Sequence, residues 1–498
     1  MLHSLRESLK TISPTLGFAV LLAVLYALTY QFSAVLLDPQ GIHFIRQSDS
    51  LAFASNYYHF GYGLFEPHTF SLATADGAAA CEFPLLYYIT AFIYHVNGES
   101  FSVLRIIHLT VISFGFLAAF QFIHRRIQPF VIAASLTLLL ITSTVILYYA
   151  SNYLVDSAAL GFILLGIERF DRFRASGHRR HYGLSVLWLT WACLLKITFS
   201  IWPLALFGAL LSFKKPFARL SHFALLIPVV CSVFWFAFAT LYNRQSGDEY
   251  FVTSSIPLWQ LNTSETAQLI DAVTHYWIGS YYPPITRWAY LVVLSVLGWK
   301  IKRIHRFELR LLGIAGLGIV CYFLLMGRAF INHDYYMLPI VPWIMLLLAS
   351  TAETMVGHAS KRAAFALSLT LLFSCCASVL YVREKLERRY FASTDPFDDA
   401  ASTLHSAIVE HDLPQPKPYE TVLVVGDPTR NGSLLYLKSK GLTYPDLRHF
   451  TSAWDNRSIP PQATALYIND VLPEEWTLRS SATLRAQGAN WYYYTLNR

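Results

Sequence analysis

The run YGLSVLWLTWACLLKITFSIWPLALFGALLSF at residues 182–213 carries a single charge, Lys196, in 32 positions. A helix rises about 1.5 Å per residue and needs about 20 residues to cross the hydrocarbon core of a bilayer. The run is therefore too long for one crossing and short for two full ones. Basic clusters bound both ends, 169–180 before it and Lys214, Lys215 and Arg219 after it. Lys and Arg collect in cytoplasmic loops, so both ends belong on one side and the chain must go out and return. Lys196 is then the apex of two short helices. Its ammonium there suits a lipid phosphate or simple snorkelling to the interface.

The rest of the chain agrees with this membrane reading. Its 498 residues are 55% hydrophobic and only 14% charged, with a mean hydropathy of +0.41. Soluble domains carry about 25% charged residues, so a soluble enzyme, a secreted disulfide scaffold and a disordered chain are all excluded. The net charge of +7 sits in short clusters between apolar runs, which is loop chemistry rather than a nucleic-acid footprint. No nucleic-acid partner is expected. Of the six cysteines, five lie inside apolar runs, and no CxxC or Cys/His ligand spacing occurs. The first apolar run, Thr15 to Leu37, holds 23 uncharged residues behind Arg6 and Lys10. It reads as an uncleaved anchor whose N-terminus is cytoplasmic.

All five internal basic clusters fall on one side if the spans are 15–37, 105–123, 128–149, 152–169, 182–195, 197–213, 221–242, 285–300, 309–327, 334–351 and 363–382. This predicts about eleven transmembrane helices, with the N-terminus in and the C-terminus out. Phe83 to Val96, an apolar run of 14, must then not cross the bilayer; that length suits an interfacial or re-entrant segment. Only REKLERR at 383–389 falls on the less usual side. The outer face receives loops 38–104 and 243–284 and the tail.

The fold class predicted is thus an all-α polytopic membrane protein with a small C-terminal α/β extracytoplasmic domain. The domains are 1–382, containing the first outer loop 38–104, and 383–498. Within the tail, Tyr419 to Val425, Thr464 to Ile468 and Trp491 to Leu496 read as strands, and Ser433 to Ser439 as a short helix. The GDPTRNG loop at 426–432 lacks both GxGxxG and a P-loop Lys, so it reads as a strand-to-helix turn. Internal repeats and low-complexity segments are absent from the sequence, which argues against a solenoid or an inverted-repeat transporter.

Polar residues near membrane spans are costly and need a reason. Here they gather on the expected outer face: Arg46, Asp49, Glu82, Asp156, Lys196, Arg328, Asn332, His333 and Asp334. A carboxylate at Asp49 could take the proton of a hydroxyl nucleophile; its alternative role is capping a helix that begins with LAFASNYY. The aromatic stretch Leu51 to Phe65 reads as a segment lying along the membrane surface. Asp156 sits at the outer end of a short span, facing an outward cavity or capping Ser157 onward. Arg328 and His333 flank a polar turn, and Arg suits bidentate phosphate binding.

These strings, in this order, resemble the GT-C class of membrane glycosyltransferases over residues 15–351. The likeness is to the branch of protein O-mannosyltransferases and bacterial aminoarabinose transferases. It is carried by Asp49 after the first span, Pro-Leu-Leu-Tyr at 84–87, Asp156 at a helix mouth, Lys196 after Ala-Cys-Leu-Leu, and His333-Asp-Tyr-Tyr-Met-Leu-Pro339. The resemblance implies an inverting transfer from a polyprenyl-phosphate sugar donor at the outer membrane face, with Asp49 as the catalytic acidic residue. Ser50 follows Asp49 where many relatives carry Glu, and Glu82-Phe83-Pro84 stands where relatives often carry Lys-Pro-Pro. By the resemblance, Lys196 and the Arg328 to His333 loop are therefore better candidates than Glu82 among the expected substrate and lipid-phosphate ligands, which also include Arg46.

The expected reaction has Asp49, with Asp156 as the second carboxylate, acting on an acceptor hydroxyl of a glycan, lipid or protein. The lipid phosphate leaves against Lys196, Arg328 and His333. No cofactor is expected; a divalent ion on Asp49 and Asp156 is the alternative. The expected location is the bacterial inner membrane, in contact with membrane lipid, with the active site on the periplasmic side. The rival readings are a lipid-linked sugar transporter or flippase and a non-catalytic envelope assembly protein.

Overall fold

The computed structural model describes residues 13–211, 222–251, 255–356, 360–391, 396–410, 415–456, 458–469, 482–488 and 491–496. Each expected span overlaps helical chain, with breaks at 29–30, 142–143 and 152–155. Five helices are long and apolar enough to cross a membrane among the described residues: Ser102–Ile127, Ala224–Ser246, Arg306–Leu325, Asp334–Met355 and Arg362–Phe391. A sixth is the pair Phe130–Ile141 and Thr144–Ala150, bent by 82°. The other expected spans are too short or too charged to join these six. Pro14–Leu28 ends where Tyr30 takes a left-handed φ of 63°, Arg179–Leu195 and Pro284–Lys300 have 17 residues each, and Asp156–Ser176 carries Glu168, Arg169, Asp171, Arg172 and Arg174 in its second half. Arg6, Lys10 and the Lys214-Lys215-Arg219 cluster lie outside the described residues.

The chain packs as two compact units. The first comprises Met1–Val35, Arg105–Phe236 and Ser254–Arg388, and the second Leu36–Leu104, Ala237–Thr253 and Arg389–Arg498. The second unit thus joins the whole first outer loop to the tail, where a linear reading divides the chain once near 382.

In the first unit, the Ser102–Ile127 and Asp156–Ser176 helices touch backbone to backbone. A Cβ on Gly115 would stand 2.5 Å from the Gly161 Cα, and one on Gly161 2.6 Å from the Val111 carbonyl oxygen. Small residues allow such contact, which packs helices by dispersion where lipid gives no hydrophobic drive. The same pair is then cross-linked by charge: Arg125 reaches Glu168 at 2.6 Å and Asp171 at 2.8 Å, and Arg126 reaches Asp171 at 2.7 Å. Arg126 also holds Glu308 of the Arg306–Leu325 helix at 2.9 Å. The basic residues read as loop charges are therefore partly structural, tying three helices together. The sharp bend after Ile141 leaves carbonyls without helical donors, and the Tyr282 and Tyr290 hydroxyls donate to Leu140 at 2.8 Å and Leu139 at 3.1 Å.

The second unit is built on a five-stranded sheet of order β2-β1-β3-β5-β4. Its strands are β1 (Thr421–Val425), β2 (Gly441–Tyr444), β3 (Ala463–Ile468), β4 (Ala482–Gln487) and β5 (Tyr492–Leu496). β1 runs parallel to β2 and β3, while β5 is antiparallel to β3 and β4. TVLVV of β1 is buried along its whole length, as a strand covered on both faces requires. The β2 edge is not left open: Leu72 of the first loop donates its N–H to Gly441 at 2.7 Å, and Gly441 donates to Phe70 at 2.9 Å. Two loop helices complete the unit. Leu85–Asn97 matches the non-crossing apolar run and is amphipathic, burying Leu86, Tyr87, Thr90, Ala91 and Tyr94 and exposing Tyr88, Ile89, Phe92 and Val96. The Phe44–Phe60 helix corrects the surface-lying reading of Leu51 to Phe65, because residues 47–57 are all buried.

The Gly115–Gly161 crossing predicts that Gly161→Val forces the two helices apart and costs about 1–3 kcal/mol, the usual scale for overpacking. Thermal unfolding of the detergent-solubilised protein checks it: a clear drop in midpoint is expected, while Gly183→Ala, which meets nothing within 4 Å, should change little.

Candidate active site

Asp49 lies in the second turn of the Phe44–Phe60 helix, which His43 starts with φ 64°. It is inside the helix and does not cap it, because the helix begins at Phe44, seven residues before LAFASNYY. Its side chain is fully shielded from water. Three groups meet the carboxylate: Asn431 Nδ2 donates to Oδ1 at 2.8 Å, the Tyr250 hydroxyl donates to Oδ2 at 3.0 Å, and Arg46 Nη1 stands 3.8 Å from Oδ2. Burial pushes the Asp49 carboxyl up to about 6, against the opposing pull of Arg46, Asn431 and Tyr250.

Arg46 has a second, closer carboxylate. Its Nη2 lies 3.1 and 3.0 Å from the two oxygens of Glu82, and the Tyr87 hydroxyl also bonds Glu82. Glu82 and Arg46 are thus bound to each other in this unit. Shared between two carboxylates, Arg46 neutralises Asp49 only in part.

The tail's GDPTRNG loop delivers Asn431. Gly426 takes φ 90°, where an added Cβ would stand 2.1 Å from the Asn469 carbonyl oxygen. Asp427 then closes the turn, accepting the N–H of Thr429 at 2.7 Å and of Ser433 at 2.9 Å. Arg430 reaches Asp248 at 2.9 Å and lies over the Tyr250 ring at 4.5 Å. Asp248 in turn accepts the backbone N–H of Tyr250 at 3.1 Å. One loop therefore supplies a direct partner of Asp49 and braces a second, Tyr250.

The first unit carries a separate cluster. Lys196 caps the Arg179–Leu195 helix and opens the 3₁₀ turn Ile197–Ser200, the expected apex. Its ammonium is 3.0 Å from Asp156 Oδ1 and lies 5.3 and 5.4 Å from the Tyr335 and Tyr336 ring centres. Asp156 is the first residue of its helix, with Val155 in the capping position. The preceding segment is pinned by Arg105, which donates to the Ser151 carbonyl at 2.9 Å, and by His108 at 2.9 Å from the Asn152 carbonyl. His333 stacks on Tyr336 at 5.6 Å, and the buried Asp334 accepts the Tyr149 hydroxyl at 2.7 Å. Arg328 pairs with Glu265 at 3.4 Å, with 54% of its side chain exposed.

The residues singled out from the sequence therefore form two groups: Arg46, Asp49 and Glu82 in the second unit, and Asp156, Lys196 and the 333–336 segment in the first. Tyr250 and Asn431 were not singled out, and Tyr87 stood only as the last residue of the Pro-Leu-Leu-Tyr element. Asn431 stood inside the loop read as a turn, and its NG ending is common turn chemistry; Tyr250 had no motif around it. Among the described residues, no group of three or more His, Cys, Asp or Glu side chains could hold a metal ion.

No protein-family model matches the chain, and no curated protein does. Solved structures do. The chain is similar to ArnT from Cupriavidus metallidurans bound to undecaprenyl phosphate, with a TM-score of 0.65 and 13% identity over 96% of this chain and 98% of that one. It is similar to the apo state of the same ArnT, with a TM-score of 0.63 and 14% identity over 96% and 97%. At such identity the likeness is one of fold: the chain shares the fold of that ArnT and is an integral membrane protein, with a small sheet domain in its tail.

The Asp156–Lys196 pair predicts a coupling. Asp156→Ala leaves the Lys196 ammonium without its carboxylate and should cost about 3 kcal/mol, whereas Asp156→Ala with Lys196→Met should cost less than the two single losses added together. A double-mutant cycle of unfolding midpoints measures it; simple additivity would mean that the pair contributes nothing.

Proposed function

We propose that this protein is a membrane glycosyltransferase that moves a sugar from a polyprenyl-phosphate donor to an acceptor hydroxyl, with inversion. The single observation that carries the reading is Asp49: a carboxylate shielded from water, held by two neutral donors and a shared guanidinium. Burial places its proton affinity near neutrality, where a general base works best. The fold shared with an ArnT that binds undecaprenyl phosphate supports a polyprenyl-phosphate donor.

In the proposed reaction Asp49 accepts the proton of the acceptor hydroxyl as its oxygen attacks the anomeric carbon. The bond from that carbon to the lipid-phosphate oxygen breaks, and the phosphate leaves with the electron pair. Lys196, Arg328 and His333 are the proposed countercharges for the phosphate. Asp156 serves the reaction through the ammonium it holds. The acceptor is a glycan, lipid or protein hydroxyl; the setting is the bacterial inner membrane, with the reaction on the periplasmic face. In this reading residues 1–382 form the transferase domain and 383–498 the extracytoplasmic domain, which contributes Asn431.

Transfer of radiolabelled sugar from polyprenyl-phosphate donors in membranes tests the reading. Asp49→Asn should abolish transfer at an unchanged protein level; retained activity would remove Asp49 as the base. The pH profile gives a second test. Only ionised Asp49 accepts a proton, so kcat/KM should fall tenfold per pH unit as the pH drops below about 6. Asn431→Ala and Tyr250→Phe each remove a hydrogen bond that favours the carboxylate, so each should move that midpoint upward. A midpoint that does not move would separate both residues from Asp49.

A further inference from the structure

A polar cavity lies in the first unit, at the turn between the Asp156–Ser176 and Arg179–Leu195 helices. It measures about 520 Å³ and is lined by Arg169, His178, Arg179, Arg180, His181 and Leu184. Five of these six side chains are cationic or imidazole, and none is acidic. Like charges gathered round one cavity repel unless an anion joins them.

The carboxylates near this turn are already engaged. Glu168 is held by Arg125 at 2.6 Å and by Arg172, and Asp171 by Arg125 and Arg126. Arg174 lies over the Phe307 ring at 3.7 Å. Arg179 and Arg180 are exposed and have no ion-pair or hydrogen-bond partner among the described residues. Two further lining atoms, Arg169 Nε and His181 Nδ1, are shielded from solvent and make no hydrogen bond among the described residues. Buried polar atoms are rarely left so, and Arg169 keeps only a 3.5 Å approach to Glu168.

The geometry points to a binding site for the phosphoryl headgroup of an anionic phospholipid in this cavity. Guanidinium forks match phosphate oxygens two at a time, and imidazoles add donors at His178 and His181. A lipid fits better than a free phosphate because the wall continues into apolar surface. Leu184 closes the cavity, and Leu187, three residues on along the same helix, is 43% exposed. That strip can carry the first part of an acyl chain while the headgroup meets the cations, the arrangement of basic pockets that hold anionic lipids between membrane helices.

The test is native mass spectrometry of the full chain in neutral detergent, titrated with dioleoyl phosphatidylglycerol and, as a zwitterionic control, dioleoyl phosphatidylcholine. The wild type should prefer phosphatidylglycerol by roughly tenfold. Arg179→Ala/Arg180→Ala should lose that preference, while Lys302→Ala/Arg303→Ala, at another exposed basic turn, should keep it. Retained preference in the first variant, or equal loss in both, would overturn the proposal. Inorganic phosphate at millimolar concentration should neither displace the lipid nor raise the unfolding midpoint as the lipid does; if it does both, the lipid assignment is wrong. Should the alanine variant fail to fold, Arg179→Lys/Arg180→Lys keeps the charge but loses the forks. It should weaken phosphatidylglycerol binding roughly threefold, and unchanged binding would overturn the site.

Discussion

Arg125 and Arg126 stand side by side on one helix and reach Glu168 and Asp171 on a second and Glu308 on a third, at distances of 2.6–2.9 Å. A charge removed from water is costly unless a counter-charge and hydrogen bonds meet it. In a chain only 14% charged, several such groups find their partner on a distant segment, and the partnership then sets how the segments pack. The same rule acts at Lys196 with Asp156, at Arg46 with Glu82, and at Lys440, which holds Asp76 of the first loop at 2.5 Å. Gly115 and Gly161 let two of these helices close to backbone contact, and the ion pairs then resist any slip along that contact.

The second unit shows how the completeness of such pairing tunes chemistry. Glu99 and Asp49 are both buried carboxylates. Glu99 receives Lys438 at 2.7 Å, His59 at 3.1 Å and the Ser55 hydroxyl at 2.6 Å. Although burial alone would raise it, those partners hold it down at about 2. Asp49 receives two neutral donors and a guanidinium that sits closer to Glu82, so burial prevails and it rises to about 6. One carboxylate is fixed as an anion for structure, and the other is left able to exchange a proton near neutral pH. The difference lies in the distance and sharing of one cation, not in residue type.

Much of the architecture was legible along the chain. Spans can be read because helix formation in an apolar medium depends on a continuous run of neighbours, and each run overlaps helical chain. Strands β1, β3 and β5 of the tail were legible for the same reason, TVLVV and ATALYI being apolar runs bounded by turn residues, whereas β2 and β4 were not read. The Phe44–Phe60 helix was not, because it is buried on all sides and mixes Gln47, Ser48, Asp49 and Ser50 with aromatic residues. Such a segment has no apolar face to read, and its Ser-Asp pair imitates a cap. The bent pair at Ile141 and Thr144 was hidden too, since hydropathy sums over a bend without detecting it.

The sequence by itself determined that this is a polytopic membrane protein with an α/β tail, where its apolar runs begin and end, and that Asp49, Asp156 and Lys196 needed explaining. Those are properties of residues adjacent in the chain. Only the tertiary structure decided that Asp156 neutralises Lys196, that Glu82 holds Arg46, and that Asn431, 382 residues away along the chain, donates to Asp49. Coulomb and hydrogen-bond energies depend on separation in space and on how much water lies between the groups. Neither quantity exists until the chain has folded, so a residue's type can be read in advance while its partner, and with it its proton affinity, cannot.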